Sequence, residues 1–391
     1  MVRLVSMGTS PITPALESGR AFTYSPRSAV APAALESGSV ANTLTVGEDW
    51  RTILARAIRD PVELCRRLGL TEELAAEAAN STAASSSGGP GWRVLVPQPY
   101  LARIRPGDPD DPLLAQVLPR KAEMADVPQF VLDPLLEAGA AGTPGLLRKY
   151  KGRLLIVASG GCAVHCRFCF RRHFPYVQAI FGRAWSGVLR QIAAETSIEE
   201  VILSGGDPLT SPDRRLAEIA RQLAEIPHLR RLRVHSRLPI VIPQRVNDEL
   251  LAWLRRTRLA TFLVVHCNHP AEIDADVAAA LGRLIDAGVP VLNQAVLLRG
   301  INDDVEVLAE LFGRLADLRV MPYYLHQLDR VAGAAHFEVP EERGRELIRQ
   351  LRARLPGYAV PRYVRDTPGA AHKEIVEGEP MKTRLLTGKR D

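Results

Sequence analysis

The sequence predicts an α/β protein built on a parallel sheet, open or closed into a barrel, and three observations carry that expectation. Six short apolar runs recur between residues 154 and 326, helical periodicity fills most of the gaps, and the polar residues of the runs gather toward their C-terminal ends. Alternating strands and helices imply parallel pairing, because two parallel neighbours need a crossover long enough to hold a helix. In such barrels chemistry collects at the C-terminal ends of the strands. With 391 residues, 46% hydrophobic and 24% charged, the chain can bury one large soluble domain with appendages, or two domains.

Taken in order, residues 1–45 are rich in Ser, Ala, Pro and Gly, repeat ALESG at 15–19 and 34–38, and read as a disordered tail. Residues 46–145 read as a helical and turn-rich extension. Its opening, EDWRTILARAIRDPVELCRRLGL, has helical spacing that places Trp50, Ile53, Leu54, Ala57 and Ile58 on one side, with Cys65 as a small buried residue of the same pattern. NSTAASSSGGPG (80–91) is a flexible separator, and RPGDPDDPLLAQVLP is dense in turn residues. Residues 146–345 hold the expected strands: LLIVA (154–158), EVILSG (200–205), LRVHS (232–236), FLVVHC (262–267), VPVLNQAVLL (289–298) and MPYYLH (321–326). DRRLAEIARQLAEI and DADVAAALGRLIDAG are helices between them. Cys162 to Cys169 follow the first strand and Asp207 the second, while His266, Gln294 and Asp329 lie at or just beyond later ones.

Composition narrows the function classes. No run of eighteen apolar residues suggests a membrane span, and the N-terminus has no apolar core of a secretory signal. The net charge of +6 comes from arginines spread along the chain, without a dense basic run interleaved with aromatics, so no direct nucleic-acid binding is expected. Five cysteines, of which Cys65 and Cys267 stand alone, fit a reducing cytoplasm better than a disulfide framework.

The remaining three make the motif. GGCAVHCRFCFRRHFPY (160–176) spaces Cys162, Cys166 and Cys169 as C-x3-C-x2-C. A structural zinc site closes its tetrahedron with four protein ligands, and an iron–sulfur carrier usually supplies four cysteines. Three thiols can instead hold three irons of a four-iron cluster and leave the fourth open to a small molecule. A zinc site completed by His165 or His173 is the competing reading.

C-x3-C-x2-C after a first strand, followed by SGGDP at 204–208, resembles the radical S-adenosylmethionine (SAM) superfamily. More narrowly, KYKGRLLIV, CFRRHFPY, HSRLPIVIPQR, NQAVLLRGIND, PYYLHQLD, GAAHF and VPRYVRDTPGAAHK are similar to lysine 2,3-aminomutases, and FRRHFPY and PYYLH…GAAHF to the branch that makes β-lysine for elongation factor P. The resemblance spans about residues 48–385. It implies a partial (β/α)6 barrel with the N-terminal extension and a C-terminal segment, 346–391, that closes the site. It also implies a [4Fe-4S] cluster, SAM and pyridoxal 5′-phosphate (PLP).

The resemblance assigns roles residue by residue. Cys162, Cys166 and Cys169 would hold the cluster, and Ser204, Gly205, Gly206, Asp207, His266 and Gln294 would contact SAM, Asp207 by accepting from its amino group. An ordinary Gly-Asp-Pro turn is the plainer reading of that stretch. Lys373 matches the PLP-bearing lysine, although Ala370, Ala371 and His372 stand where the family has glycines. Lys382 in GEPMKT is a rival by appearance, with a different spacing. Tyr150 and Arg153 match residues at PLP, and Lys149 stands where the family carries an arginine. Arg171 matches the arginine that pairs with the substrate carboxylate, and Asp329 and Asp366 match two aspartates that hold its distant ammonium. Two carboxylates facing one site repel unless a cation lies between them, which favours a diamino acid such as L-lysine. The implied activity is that of an isomerase, with a functional link to elongation factor P and its lysyl ligase. Alternatives are an aminomutase for catabolism or osmolyte synthesis, against which the lack of cysteines after Cys267 speaks, and a non-catalytic metal protein that binds RNA.

Overall fold

The structure is a computed structural model that describes residues 48–83, 92–138, 145–148, 150–176 and 185–376, all within one compact unit spanning 44–391. The tail at 1–45, Lys149 and Lys382 lie outside the described residues. Nine strands form one sheet in chain order: β1 (Leu146–Leu147), β2 (Arg153–Ser159), β3 (Glu200–Gly205), β4 (Arg231–His235), β5 (Ala260–His266), β6 (Val291–Val296), β7 (Met321–His326), β8 (Arg362–Arg365) and β9 (Glu374–Ile375). Every pairing from β2 to β8 is parallel, and the short outer strands β1 and β9 pair antiparallel. Among the described residues β1 and β9 do not pair with each other, so the sheet stays open, as a partial barrel does.

The six expected strands are β2 to β7. The C-terminal segment adds a seventh parallel strand, β8, that the sequence does not advertise. Its four residues, RYVR, bury only Tyr363 and Val364 between two arginines, too short a run for alternation to register.

The strands have two kinds of face. Leu232 and Val234 of β4 are buried toward the surrounding helices, while Arg233 and His235, alternating with them, turn into the barrel. In β6 Val291, Asn293 and Ala295 are buried, and Gln294 and Val296 line the interior. The helices cover the outer face by period: Leu216, Ile219, Ala220 and Leu223 in Asp213–Ala224, and Leu308, Leu311, Phe312 and Leu315 in Val305–Asp317. Their starts are capped in the usual way, for example by Asp304, whose carboxylate accepts from the Glu306 amide at 2.8 Å.

The N-terminal extension divides its helical stretch at a proline. The amphipathic stretch forms two helices, Trp50–Ala55 and Pro61–Arg67. Proline has no amide hydrogen and clashes with the preceding turn, so it cannot extend the first helix. It serves instead as the first residue of the second, capped by Asp60. Ile58, released from helical geometry, bridges to Val96, and Cys65 is fully buried. A smaller apolar cluster of Phe168, Leu298, Ile301, Leu328, Val331, Ala334 and Phe337 underlies the cysteine loop. No described helix is long and apolar enough to cross a membrane.

Candidate active site

The loop that leaves β2 carries the three cysteines, and its neighbours explain its shape. Arg167 is fully buried and grips Glu123 of the extension through Nε (2.8 Å) and Nη2 (2.6 Å), while Arg172 adds a third bond to Glu123 at 2.7 Å. Burial works to raise the Glu123 carboxyl, but the two guanidiniums reverse it and hold the group below its usual range. Trp92 donates to the Cys166 carbonyl at 3.0 Å and stacks on His165.

A second loop, after β3, is bound to the first. The Gly206 amide donates to the Ser159 carbonyl (2.8 Å) and the Asp207 amide to Gly161 (2.7 Å). A Cβ on Gly205, whose φ is +116°, would lie 2.5 Å from the Ser159 oxygen, and one on Gly206 would lie 2.5 Å from the Gly161 oxygen. Both glycines are thus required by the approach of the loops themselves.

Asp207 lines the cavity with its carboxylate already engaged by the protein. Its carboxylate accepts from the amides of Leu209 (3.0 Å), Arg237 (2.8 Å) and Leu238 (3.2 Å) and from the Ser236 hydroxyl (2.8 Å). Four donors fill the acceptor sites of a carboxylate, so the side chain is committed to the turn and has none left for a ligand amino group. Burial pushes it up to about 6 despite those donors.

His266 and Gln294 are partners in register at the ends of β5 and β6. His266 meets Asn268 at 3.1 Å, and burial holds its imidazole down at about 3, hence neutral. Arg237, fully enclosed, donates to the Cys166 sulfur at 2.7 Å and to Gln116 (2.6 Å) and Glu272 (2.9 Å).

On the strands' N-terminal side, Arg153 opens β2 and Glu200 opens β3, and their ion pair (3.7 Å) is shared by Arg233 of β4, 3.0 Å from the same glutamate. Tyr150 donates to Asp366 at 2.6 Å, and the Lys373 ammonium pairs with the other oxygen of that carboxylate. Lys373 also lies 5.9 Å above the Tyr324 ring. Arg171, two residues past Cys169, meets Glu137 through Nε (2.7 Å) and Nη2 (3.1 Å), and through Nη1 reaches Ser204 (3.2 Å) and the Gly205 carbonyl (3.3 Å).

One cavity of about 500 Å³ inside the barrel joins all of this. Cys162, Cys166, Cys169, Ser204, Gly205, Gly206, Asp207, His266 and Gln294 line it, and so do Tyr150, Arg153, Arg171, Asp329, Asp366 and Lys373. Every candidate among the described residues therefore shares a single wall. Other lining residues were missed, among them Arg233, His235, Arg237 and Glu137. Arg233 and His235 announce themselves only through inward alternation on β4, Arg237 sits unremarked in the quoted HSRLP, and Glu137 lies in a turn-rich stretch with no signal at all.

The cysteines suit a cluster better than a single ion. His165 meets the Arg93 carbonyl through Nδ1 at 2.9 Å, and His173 the Ala332 carbonyl through Nε2 at 3.2 Å. Among the described residues no three His, Cys, Asp or Glu side chains converge as one ion's ligands, whereas a four-iron cube holds its thiolates apart. Burial raises the thiols of Cys162 and Cys169, the latter to about 12, so they need a strong positive partner such as iron to ionise.

Residues 156–312, from β2 into the helix after β6, match the Radical SAM superfamily, in agreement with this open barrel and its thiol-bearing first loop. A narrower similarity covers far more of the chain. L-lysine 2,3-aminomutase of Haemophilus influenzae is 44% identical over 329 residues, spanning 84% of this chain and 95% of its own length. That of Escherichia coli is 44% identical over 339 residues (86% and 94%), and that of Clostridium subterminale 36% over 330 (84% and 77%). The chain belongs to the L-lysine 2,3-aminomutase family of radical SAM enzymes, which are isomerases.

Proposed function

We propose that this protein is a cytoplasmic lysine 2,3-aminomutase that moves the α-amino group of L-lysine to Cβ, and that the β-lysine formed serves the modification of elongation factor P. The observation that carries the reading is that the cysteine loop, Lys373, Arg171, Asp329 and Asp366 line one cavity. When bound, the [4Fe-4S] cluster with SAM supplies reversible hydrogen abstraction, and PLP supplies the carbonyl that carries the migrating nitrogen.

Cys162, Cys166 and Cys169 would hold the cluster, with Arg237 donating to the Cys166 sulfur at 2.7 Å. The backbone of the Ser204–Gly206 turn, His266 and Gln294 would contact SAM, with Asp207 fixing the turn rather than the ligand. Lys373 would bear PLP beside Tyr150 and Arg153, and the Arg153–Glu200–Arg233 cluster offers the guanidinium forks that suit a phosphate. Arg171 would receive the amino acid's carboxylate, and Asp329 and Asp366 its ε-ammonium. Phe168, Val296 and Leu328 keep the intervening wall apolar and limit water at the reacting carbons.

The test is anaerobic turnover of L-lysine with iron–sulfur reconstitution, SAM, PLP and reductant, alongside L-glutamate, L-arginine and L-ornithine. β-Lysine should form, and Cys166→Ala and Lys373→Ala should abolish it. SAM cleavage without a β-amino acid would sink the substrate assignment. The link to elongation factor P is checked separately, by whether deleting the gene removes β-lysine from that factor in the source cell.

A further inference from the structure

We infer that Glu137 is a built-in stand-in for the substrate's carboxylate: it holds the Arg171 guanidinium in the absence of the amino acid and is displaced from it when the amino acid binds. The inference rests on Arg171 receiving the carboxylate of lysine, as proposed above.

The two Glu137 oxygens face Nε and Nη2 of Arg171 at 2.7 and 3.1 Å, the parallel fork in which a guanidinium meets any carboxylate. Nη1 is spent on Ser204 and the Gly205 carbonyl, so four of the five N–H donors are engaged. A second carboxylate cannot form the same fork until Glu137 leaves. The bonds to Ser204 and Gly205 hold the guanidinium in place independently of Glu137, so the receptor survives the exchange. The pair is also enclosed, with side-chain exposures of 6% and 10%. A direct exchange of one carboxylate for another never leaves this buried cation unpaired.

Glu137 is positioned to move. Among the described residues its carboxylate takes hydrogen bonds from Arg171 alone. Its segment is anchored to the barrel at Val131, whose amide donates to Arg330 and whose carbonyl accepts from Ala332, both at 2.9 Å. Beyond that anchor Leu135 is buried at the cavity wall, and the turn that follows it closes on itself, with the Asp133 carboxylate accepting from the amides of Glu137 (3.0 Å) and Ala138 (2.8 Å). Leu136, just before Glu137, has a φ of +53° and is 67% exposed, a strained leucine with little burial to hold it.

The test is equilibrium dialysis of radiolabelled L-lysine and of 1,5-diaminopentane against PLP-loaded enzyme without SAM, for wild type, Glu137→Gln, Glu137→Asp and Arg171→Gln. Removing the competing charge should tighten lysine binding about tenfold in Glu137→Gln, the size of one charge-assisted hydrogen bond, and less in Glu137→Asp. Diaminopentane, which has no carboxylate, should show no gain. In turnover KM should fall by the same factor while kcat does not rise. Lysine affinity that is unchanged or weaker in both Glu137 variants, and lost in Arg171→Gln, would make Glu137 a fixed part of the site and overturn the inference. Arg171→Gln binding lysine as wild type does would instead overturn the reading of Arg171, and the stand-in with it. Should Glu137→Gln fail to fold, Glu137→Asp carries the comparison alone.

Discussion

Arg167 and Arg171 stand four residues apart on one loop, and each meets a glutamate through Nε and Nη2. The likeness ends there. Glu123 also takes Arg172 and the Arg120 amide (3.2 Å), and neither it nor Arg167 lines the cavity. Glu137 takes Arg171 alone among the described residues, and both line the cavity. A buried pair with every acceptor site filled behaves as a rivet, because removing one partner strands the others. A buried pair that faces a cavity can exchange its partner for a ligand of like charge. The same chemistry thus fixes the cysteine loop at one residue and leaves a receptor at another.

The comparison breaks first on stability. Glu123→Gln strands two enclosed guanidiniums and should cost about 3–5 kcal/mol, whereas Glu137→Gln strands one that keeps its bonds to Ser204 and Gly205 and should cost less, about 1–3 kcal/mol, both read from urea denaturation. Equal losses would mean that the two pairs are alike. A smaller effect within the riveted half comes from Gly206→Ala. Its Cβ would sit 2.5 Å from the Gly161 oxygen, so the two loops must part, at about 1–3 kcal/mol and with reduced iron retained after reconstitution. Full iron content in that variant would show that the loop spacing is not needed by the cysteines.

In the exchangeable half, Asp366→Asn tests whether the carboxylate shared by Tyr150 and Lys373 also serves the substrate. Loss of its charge should lower kcat/KM for lysine by about 10–100-fold, roughly 1.4–2.7 kcal/mol of transition-state binding, with PLP content near wild type. An unchanged kcat/KM would remove Asp366 from the substrate site.

The riveted half was the more legible in sequence. Strands β3 and β7 begin and end where their apolar runs do, because hydrophobic runs bounded by turn residues are what buried parallel strands require. The cysteine spacing and SGGDP announced the two loops, since only glycine fits where Gly205 and Gly206 lie. The exchangeable half was legible only through resemblance, as Lys373, Asp366 and Tyr150 come from segments more than two hundred residues apart. Glu137 was invisible, because a carboxylate in a polar turn looks the same whether it faces solvent or a buried arginine. Asp207 shows a related limit: the sequence shows an acceptor, but only the fold shows the donors that already engage it.

The smallest expected effect is one of pH, and it lies beside the rivet. His336 packs against Phe337 with ring centroids 4.0 Å apart, and neither of its buried ring nitrogens finds a hydrogen-bond partner among the described residues. Burial holds its imidazole down at about 4, and the nearby Glu123 carboxylate does not restore it. Above pH 6.5 the imidazole is neutral in folded and unfolded chains alike, and its contribution to stability is complete. As the pH falls toward 4 the unfolded chain binds a proton that the folded chain refuses, so stability drops by at most about 1 kcal/mol per pH unit. His336→Leu removes that titration and keeps the apolar contact with Phe337. Its stability relative to wild type should therefore improve by about 1–2 kcal/mol between pH 8 and pH 5, measured by urea midpoints at both. Parallel pH profiles would mean that the imidazole is reached by water or protonated in the fold, and that the packing around Glu123 is looser than a rivet demands.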